Sequence, residues 1–581
     1  MRIKRRFLWK VAPLDKERQN RLSRELKIDP LIARLLLNRG IDNTESANHF
    51  LNSSLNDLHS PMLMADMDIA VERVIRAITN KEEVVIYGDY DVDGISSTSM
   101  LVSFFHGIGL PVSYYIPNRI KEGYGLNNEA ITTLVERKFS LMITVDCGVT
   151  SFKEVRHAAE LGMDVIITDH HQLSEALPPA TAIINPARKD CGYPFKNLAG
   201  VGIAFKLLDA VRTRLLEKRM IDHHKIPGTK SYLDLVALGT LADMVPLVGE
   251  NHILVRFGLK QMAKAHNLGL RSLINLRGGD IKKVSATDVG FFIAPRLNAV
   301  GRLSNAALGV ELLTTSDGNK AKEIARKLDG ENSQRRAIQK RILGEVLKRI
   351  EKEVDLKNDK AIILASEGWH PGVIGIVASK IVERFNLPTI LLNIENSHCR
   401  GSARSIPNFH IYNCLNSCRG KLLHFGGHEY AAGLSMEMSM LDDFKSAFQQ
   451  KASKSLSKNE RTISLEIDAE VPLNVFSPDM VDEILDLGPF GSSNPPPVFL
   501  CRRVSFIEEP FFVGKNGEHV RFEVGVNGFM LEGIAFGMAE QFKGAKITDG
   551  TYDIVFTPMI NNYGRFSATI QLKLHDFHPA E

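Results

Sequence analysis

The sequence predicts an α/β chain in three parts: a parallel-sheet domain, a smaller α/β domain joined to it by a long helix, and a C-terminal all-β module. Three observations carry that prediction. Short apolar runs alternate with amphipathic segments between Glu83 and Leu313, the rhythm of a parallel sheet covered by helices. A charged, proline-free stretch at 317–355 repeats Ile338, Ile342, Val346, Ile350 and Val354 every four residues, a helical period with one apolar face. After 451–460 the pattern turns to short alternating runs punctuated by Gly514-Lys515-Asn516-Gly517 and Asn527-Gly528, both hairpin signals.

A chain of 581 residues is long enough for several domains. Residues 1–60 read as a polar, helical lead-in. Strands are predicted at 83–89, 141–146, 164–169 and 181–185, with helices over 128–138 and 151–161 between them. The long helix reads as a connector, although an ordinary helix packed on one domain would show the same period. A second α/β segment follows, with strands at 361–365 and 389–392 and a helix at 374–385. The Ser/Lys-rich 451–460 reads as a linker. Strands at 520–526, 530–536, 552–556 and 567–574 fit a small barrel, and a β-sandwich would fit nearly as well. The expected divisions are 1–60, 61–315, 316–355, 356–450 and 451–581.

Composition excludes more than it assigns. Hydrophobic content of 44% and charged content of 24% are ordinary for a globular protein. A net charge of +4, from 72 basic and 68 acidic residues, says little about nucleic acid by itself. Six cysteines without a framework spacing fit a reducing compartment, and the expected location is the cytoplasm. Cys414 and Cys418 lie four apart, which suits two cysteines on one helix face, with a zinc pair as the alternative. The basic segment 1–10 lacks the apolar core of a signal peptide, and no run is long and apolar enough to span a membrane.

The chemistry lies where three predicted strands end in acid. One run leads into Asp89-Tyr90-Asp91-Val92-Asp93-Gly94, one into Asp146, and one into Asp169-His170-His171. The carboxyl ends of parallel strands are where such sheets bind ligands, so the three ends should converge. Carboxylates and imidazoles together are ligands for Mn²⁺ or Mg²⁺. Asp89, Asp91 and Asp93 alternate, which in an extended segment puts them on one face, and Gly94 would allow a tight turn into a helix starting near Ser96. Acidic turns are usually solvated. At the end of a buried strand the metal reading gains, because unpaired buried carboxylates are costly. Adjacent histidines point in different directions, so one can bind metal while the other meets a phosphate; without Asp169 they would read as two surface histidines. Asp243 closes an apolar stretch and is either a helix-end acid or a further ligand bridging two ions.

These segments resemble a known family. GDYDVDG (88–94), VDCG (145–148), TDHH (168–171) and ALGTLADMVPL (237–247) are similar to the four motifs of the DHH phosphoesterases. APRLNAVGR (294–302), WHPGVIGIVASK (369–380), RGSARS (400–405) and FGGHEYAAG (425–433) narrow the resemblance to the bacterial single-strand-specific 5′→3′ DNA exonucleases of that family. It covers nearly the whole chain and implies a DHH domain, a connector helix, a smaller DHH-associated (DHHA1) domain and a C-terminal OB-fold barrel. It places Asp91, Asp93, Asp146, His170 and Asp243 on metal-ligand positions, with Asp89 and His171 beside them in ligand, supporting or substrate roles. Two ions, Mn²⁺ or Mg²⁺, are implied. Arg296, Ser402 and Arg404 fall on positions that hold a 5′-terminal phosphate, joined by Arg119, and His428 on a substrate-contact loop. The implied substrate is single-stranded DNA and the setting DNA repair, recombination and mismatch repair. Single-strand-binding protein and a RecQ-type helicase are the implied partners of a monomer.

The chemistry agrees with those roles. Phosphodiester hydrolysis needs an activated water and neutralised phosphoryl oxygens, which two metals about 3.5–4 Å apart supply. The guanidinium fork suits a terminal phosphate, and Gly401 would let backbone approach it closely. For Arg296 and Arg404 the competing reading is a structural ion pair. In the C-terminal module, Phe506, Phe511, Phe512, Phe522 and Phe529 are candidates for base stacking and Arg502, Arg503, Lys515 and Arg521 for phosphates, with most of the phenylalanines expected in the core. Two rivals stand beside the exonuclease: a phosphoesterase of short oligonucleotides or nucleotide bisphosphates, and an inactive replication scaffold. Intact acids and histidines argue against the scaffold.

Overall fold

The computed structural model describes residues 7–119, 122–123, 125–278, 280–456, 464–543, 547–561 and 569–580. The chain forms two compact units, one of Leu58–Val245 with Leu254–Arg461 and one of Met1–Asp57, Pro246–Ile253 and Thr462–Glu581.

The first unit opens on a five-stranded parallel sheet. In spatial order its strands are Val112–Tyr115, Val84–Gly88, Leu141–Val145, Asp164–Thr168 and Ala182–Ile184. The first strand in sequence therefore lies between the second and the third, and the strand order reverses there. A crevice opens at such a switch point, and ligands bind in it. The register pairs Gly88 with Val145 and Val145 with Thr168, so the residues that follow each strand emerge side by side. Strand residues 84–88 and 141–145 are all buried, as a sheet covered on both faces requires.

The helix Gly318–Glu353 runs for 36 residues. Its Ile342, Val346 and Ile350 are buried in one cluster with Ile362, Leu364, Trp369 and Val373, so its apolar stripe is the floor of the smaller domain. That domain's sheet has the order His424–Gly427, Ala431–Glu437, His398–Arg404, Thr389–Glu395, Ile362–Glu367, with only the last pair parallel. The 451–460 linker expectation is partly overturned. Residues 451–455 close the helix Leu441–Ser455, which Phe444, Phe448 and Ala452 hold in the core, and 457–460 lie outside the described residues.

In the second unit five strands close on themselves: Phe499–Phe506, His519–Val526, Phe529–Ala535, Thr569–Pro579, Thr551–Asn561, and back to the first. A closed ring is a barrel, so the sandwich alternative falls. Asn527 and Gly528 turn the second strand into the third at φ of 50° and 81°, the left-handed pair that a tight hairpin needs. Residues 567 and 568 of the last predicted strand lie outside the described residues. The N-terminal residues are no separate lead-in. Leu8–Val11 pairs in parallel with Ser464–Ile467, and Leu22, Leu31, Leu35 and Leu36 share a core with the barrel's Phe499, Phe506 and Phe556. Residues 1–6 of the basic segment are outside the described residues. No helix among those described is long and apolar enough to cross a membrane.

Candidate metal centre and phosphate pocket

Asp89, Asp146 and Asp169 each follow the last residue of a central strand and are buried. The aspartates of 89–93 do not alternate along an extended segment. Asp91 caps the helix Val92–Gly107, accepting from Asp93 N at 2.9 Å and Gly94 N at 3.1 Å, and Asp93 is already helical. The turn therefore splits the acids between two groups. Gly94 lies inside the helix and serves close approach: a Cβ there would fall 2.5 Å from Asp89 O.

Donor atoms within 4.8 Å of one another come from Asp89, Asp91 and Asp146; from Asp146, His170 and His171; and from Asp93, His170 and Asp243. Asp146 and His170 each belong to two of these groups. His170 Nε2 is 3.1 Å from Asp146 Oδ1 and 3.6 Å from Asp243 Oδ2. Asp146 holds a left-handed φ of 61°, fixed by its N–H donating to Thr168 O; such strain in a non-glycine residue persists where function needs it. Asp243 is the last residue of the helix Leu233–Asp243 and belongs to one donor group, with Asp93 and His170.

The electrostatics show what the centre lacks. Burial raises the Asp89, Asp93, Asp146 and Asp243 carboxyls, and neighbouring aspartates raise them further. Burial lowers His170. Burial would lower His171 too, but the hydrogen bond and charge of Asp169 overcome it and hold the imidazole at about 9. Asp169 is a support: its oxygens accept from Val149 N at 2.9 Å and His171 N at 3.1 Å, and His171 Nδ1 lies 2.7 Å away. Asp89 Oδ1, Asp146 Oδ1, His170 Nε2 and Asp243 Oδ2 are buried without a hydrogen-bond partner. Four orphaned donor atoms in one crevice are the signature of a cation site, since each would otherwise cost free energy.

The arginines separate into two places. Arg404 Nη1 donates to Ser402 Oγ at 2.7 Å on the strand His398–Arg404. Burial and then Arg119 lower Arg404. Arg119 stacks on the Tyr90 ring at 4.9 Å, next to the acids. Arg296 has protein partners of its own. It is buried against Asp329, with Nη2 at 2.7 Å, and stacks on Phe292 at 3.4 Å, the structural ion pair. The same helix, Ala294–Leu303, brings Arg302 instead. Arg302 Nη1 donates to Gly372 O at 3.0 Å. Burial, then Arg119, Arg335 and Arg404, pull it down to about 10. Arg302 and Arg335 were not singled out from sequence. Arg302 lay inside a quoted motif, but six residues separate it from Arg296, about 120° around a helix, and sequence does not say which side faces in.

Gly401 has a packing role. A Cβ there would meet Leu392 Cδ2 at 2.5 Å and Leu391 O at 2.7 Å, so the glycine serves strand packing. Gly375 does the opening instead: its Cβ would fall 2.8 Å from Arg404 Nη2 and 2.9 Å from Ser402 Oγ. His428 is exposed in the hairpin between His424–Gly427 and Ala431–Glu437, the latter pairing Gly433 with Ser402. Cys414 and Cys418 are buried in an apolar cluster with Cys399, and no candidate metal group among the described residues includes a cysteine. In the barrel Phe506 and Phe522 are core, Phe529 packs against it, and Phe511 and Phe512 are exposed.

Comparison with known proteins adds to this geometry. Residues 83–240 match the DHH family, N-terminal domain; 358–454 the DHHA1 domain; and 467–576 the RecJ OB domain. The single-stranded-DNA-specific exonuclease RecJ of Haemophilus influenzae is 36% identical over 540 residues, covering 91% of this chain and 93% of its own length. The chain belongs to the RecJ family. RecJ of Bacillus subtilis is 39% identical over 92% of this chain, which spans 66% of that longer relative. The crystal structure of RecJ from Thermus thermophilus in complex with Mn²⁺ superposes with a TM-score of 0.83 at 28% identity, covering 99% of this chain and 80% of that one. Its complex with Mg²⁺ gives 0.78 at 26%, covering 99% and 79%. Both curated relatives are single-stranded-DNA-specific exonucleases, which favours the exonuclease over its two rivals.

Proposed function

We propose that this chain is a metal-dependent 5′→3′ exonuclease that degrades single-stranded DNA and releases 5′-mononucleotides, working in the cytoplasm as a monomer in repair and recombination. The carrying observation is the crevice with four buried donor atoms that lack a hydrogen-bond partner, beside arginines among which Arg302 is lowered by burial and then by Arg119, Arg335 and Arg404. The donor set fits the Mn²⁺ and Mg²⁺ bound by the Thermus relative, because oxygens and neutral imidazole are what such ions take. Asp91, Asp93, Asp146, His170 and Asp243 would hold two ions, with Asp89 and His171 beside them. When bound, the ions supply an activated water and neutralise phosphoryl oxygens.

The chain's own groups do the rest. Asp169 fixes the His171 ring, so its other nitrogen has one direction. His171, held protonated by Asp169, is a cation for a non-bridging phosphate oxygen. Arg302, Arg335, Arg404, Ser402 and Arg119 take the terminal phosphate, which relieves the repulsion of cations buried together. Arg119 on Tyr90 ties that pocket to the acidic turn, so cleavage falls at a fixed distance from the end, as an exonuclease requires. His428 contacts the strand from its hairpin. Single-strand-binding protein and a RecQ-type helicase are the partners this reading supports.

Single-stranded oligomers labelled at either end test it, with Mn²⁺ present or chelated. The 5′ label should appear at once as mononucleotide while the 3′-labelled strand shortens stepwise, and chelator should stop both. Long DNA surviving while dinucleotides are cut would replace this reading with the short-substrate one.

A further inference from the structure

We propose that Gly200 and Gly239 are positioning residues of the metal centre, each holding one acid in place by the side chain it lacks, and that Gly239 governs a single ion. The inference rests on the metal reading of the acidic cluster.

A Cβ on Gly239 would fall 2.7 Å from Asp93 Oδ1, 2.8 Å from Val201 Cγ1 and 3.0 Å from Val201 Cβ. A carboxylate at the end of a side chain ordinarily swings away from such an intrusion. Asp93 cannot. Its Oδ2 accepts from Gly200 N at 2.7 Å and its Oδ1 from Val201 N at 2.8 Å, and the residue is buried. Moving it would orphan two N–H groups at the start of the helix Gly200–Glu217. Asp93 is therefore held between backbone donors on one side and the bare face of Gly239 on the other. Asp243 follows Gly239 by four residues, on the same helix face. Asp93, His170 and Asp243 form one of the three donor groups, so the bare turn at 239 lets the next turn bring Asp243 within reach of Asp93.

Gly200 acts on the other acid. Its Cβ would lie 2.7 Å from Asp146 Oδ1, 2.8 Å from Asp146 Cβ and 2.9 Å from Asp146 Cγ. Contact with the Asp146 Cβ is not relieved by rotating the carboxylate, and the Asp146 backbone is already fixed at positive φ. Asp146 serves the two groups that lack Asp93. Disturbing Gly239 should therefore weaken one ion, whereas Gly200 faces Asp146 and also donates its N–H to Asp93 Oδ2, so disturbing it should weaken both. Gly258 is the packing control. Its Cβ would meet Leu233 O at 2.2 Å and Ala237 Cβ at 2.5 Å, against the same helix as Gly239 but with no acid among its contacts.

The test is Mn²⁺ binding to the full chain, by calorimetry and by the electron-spin signal of free Mn²⁺, alongside thermal melts. The proteins are wild type, G239A, G200A, G258A and the pair V201A/G239A, in which the Val201 Cγ1 contact of the new Cβ is gone while the carboxylate contact and the 3.0 Å contact with the residue-201 Cβ remain. Wild type should bind two ions. G239A and V201A/G239A should keep one and bind the second about 10-fold or more weakly; G200A should weaken both; G258A should melt earlier with both affinities intact. Folded G239A binding two ions like wild type would overturn the proposal, as would G258A losing the same ion. If G239A and V201A/G239A both fail to fold while G258A folds, the contact serves packing and the proposal falls. Wild type binding no ion would instead remove the metal reading beneath it.

Discussion

Asp146 Oδ1 lies 3.1 Å from His170 Nε2, and neither atom has a hydrogen-bond partner. The acid follows one strand and the imidazole lies beyond the end of the next, so the sheet itself sets their separation. Both point into a space where Asp89, Asp93 and Asp243 already repel Asp146. A cation relieves that repulsion, so stability should depend on it. Mn²⁺ at about 100 times its dissociation constant should add about 2.7 kcal/mol, read as a rise in melting temperature that chelator reverses. Asp146→Asn should lose activity and the Mn²⁺-dependent rise together. Its metal-free form should melt above metal-free wild type, because one of the repelling carboxylates is gone. An Asn variant that still gained stability from Mn²⁺ would refute the assignment.

Arg302 and Arg296 share a helix and should behave oppositely. Removing Arg302 takes a charge-assisted contact from the phosphate pocket, worth about 1.5–3 kcal/mol. Arg302→Ala should raise KM for 5′-phosphorylated strands by about 10- to 100-fold and erase the advantage over 5′-hydroxyl strands. Arg296→Ala should leave that preference intact and lower stability by about 1 kcal/mol, since Asp329 is partly exposed and can hydrate. Steady-state kinetics on the two substrates separates the pair, and a preference lost in Arg296→Ala would restore the sequence-based assignment.

The contrast shows what sequence could carry. Strand ends were legible because an apolar run stopping at an acid has one reading in a parallel sheet, and Asp89, Asp146 and His170 followed directly. Asp93 was found by the wrong geometry: an N-terminal helical turn, not an extended segment, divides it from Asp89. The barrel was legible only to the level of alternation and turns, since closure depends on the pairing of Phe529–Ala535 with Thr569–Pro579, a contact distant in sequence. Gly239 gave no signal, because a glycine in an apolar helix says nothing until its neighbour is known.

Phe511 and Phe512 should act on DNA without acting on stability. They are 63% and 47% exposed, on the short strand Phe511–Val513 at the end of the barrel sheet. An aromatic ring stacked on a base is worth about 1–3 kcal/mol. The pair F511A/F512A should weaken single-stranded DNA binding by about 10-fold or more with an unchanged melt, measured by fluorescence anisotropy. Phe522→Ala, in the core, should instead cost about 3–5 kcal/mol of stability. Unchanged affinity in F511A/F512A would move DNA contact elsewhere on the barrel.

Two buried groups, Asp234 and His575, should contribute to pH-dependent stability with opposite sign. Asp234 is buried at the start of the helix Leu233–Asp243, and its Oδ1 accepts from Leu235 N at 2.8 Å. Burial raises its carboxyl to about 6, against 3.8 ordinarily. The fold thus prefers the protonated form, so this contribution is full below about pH 4 and is lost as pH rises through about 6. The shift corresponds to roughly 3 kcal/mol at most. Asp234→Asn keeps an acceptor for Leu235 N and removes the charge. It should stabilise the protein at pH 8 and do nothing at pH 4. In the barrel His575 is pushed the other way, by burial and then Lys573, down to about 4. Thr557 Oγ1 donates to Pro497 O and lies 2.9 Å from His575 Nε2, an arrangement the neutral ring satisfies. That contribution is full above about pH 6.5 and is lost as pH falls through about 4, so His575→Gln should flatten the acid side of the profile. Melts between pH 4 and pH 8 read both slopes. An Asp234→Asn gain of equal size at pH 4 and pH 8 would show that packing, not ionisation, is responsible.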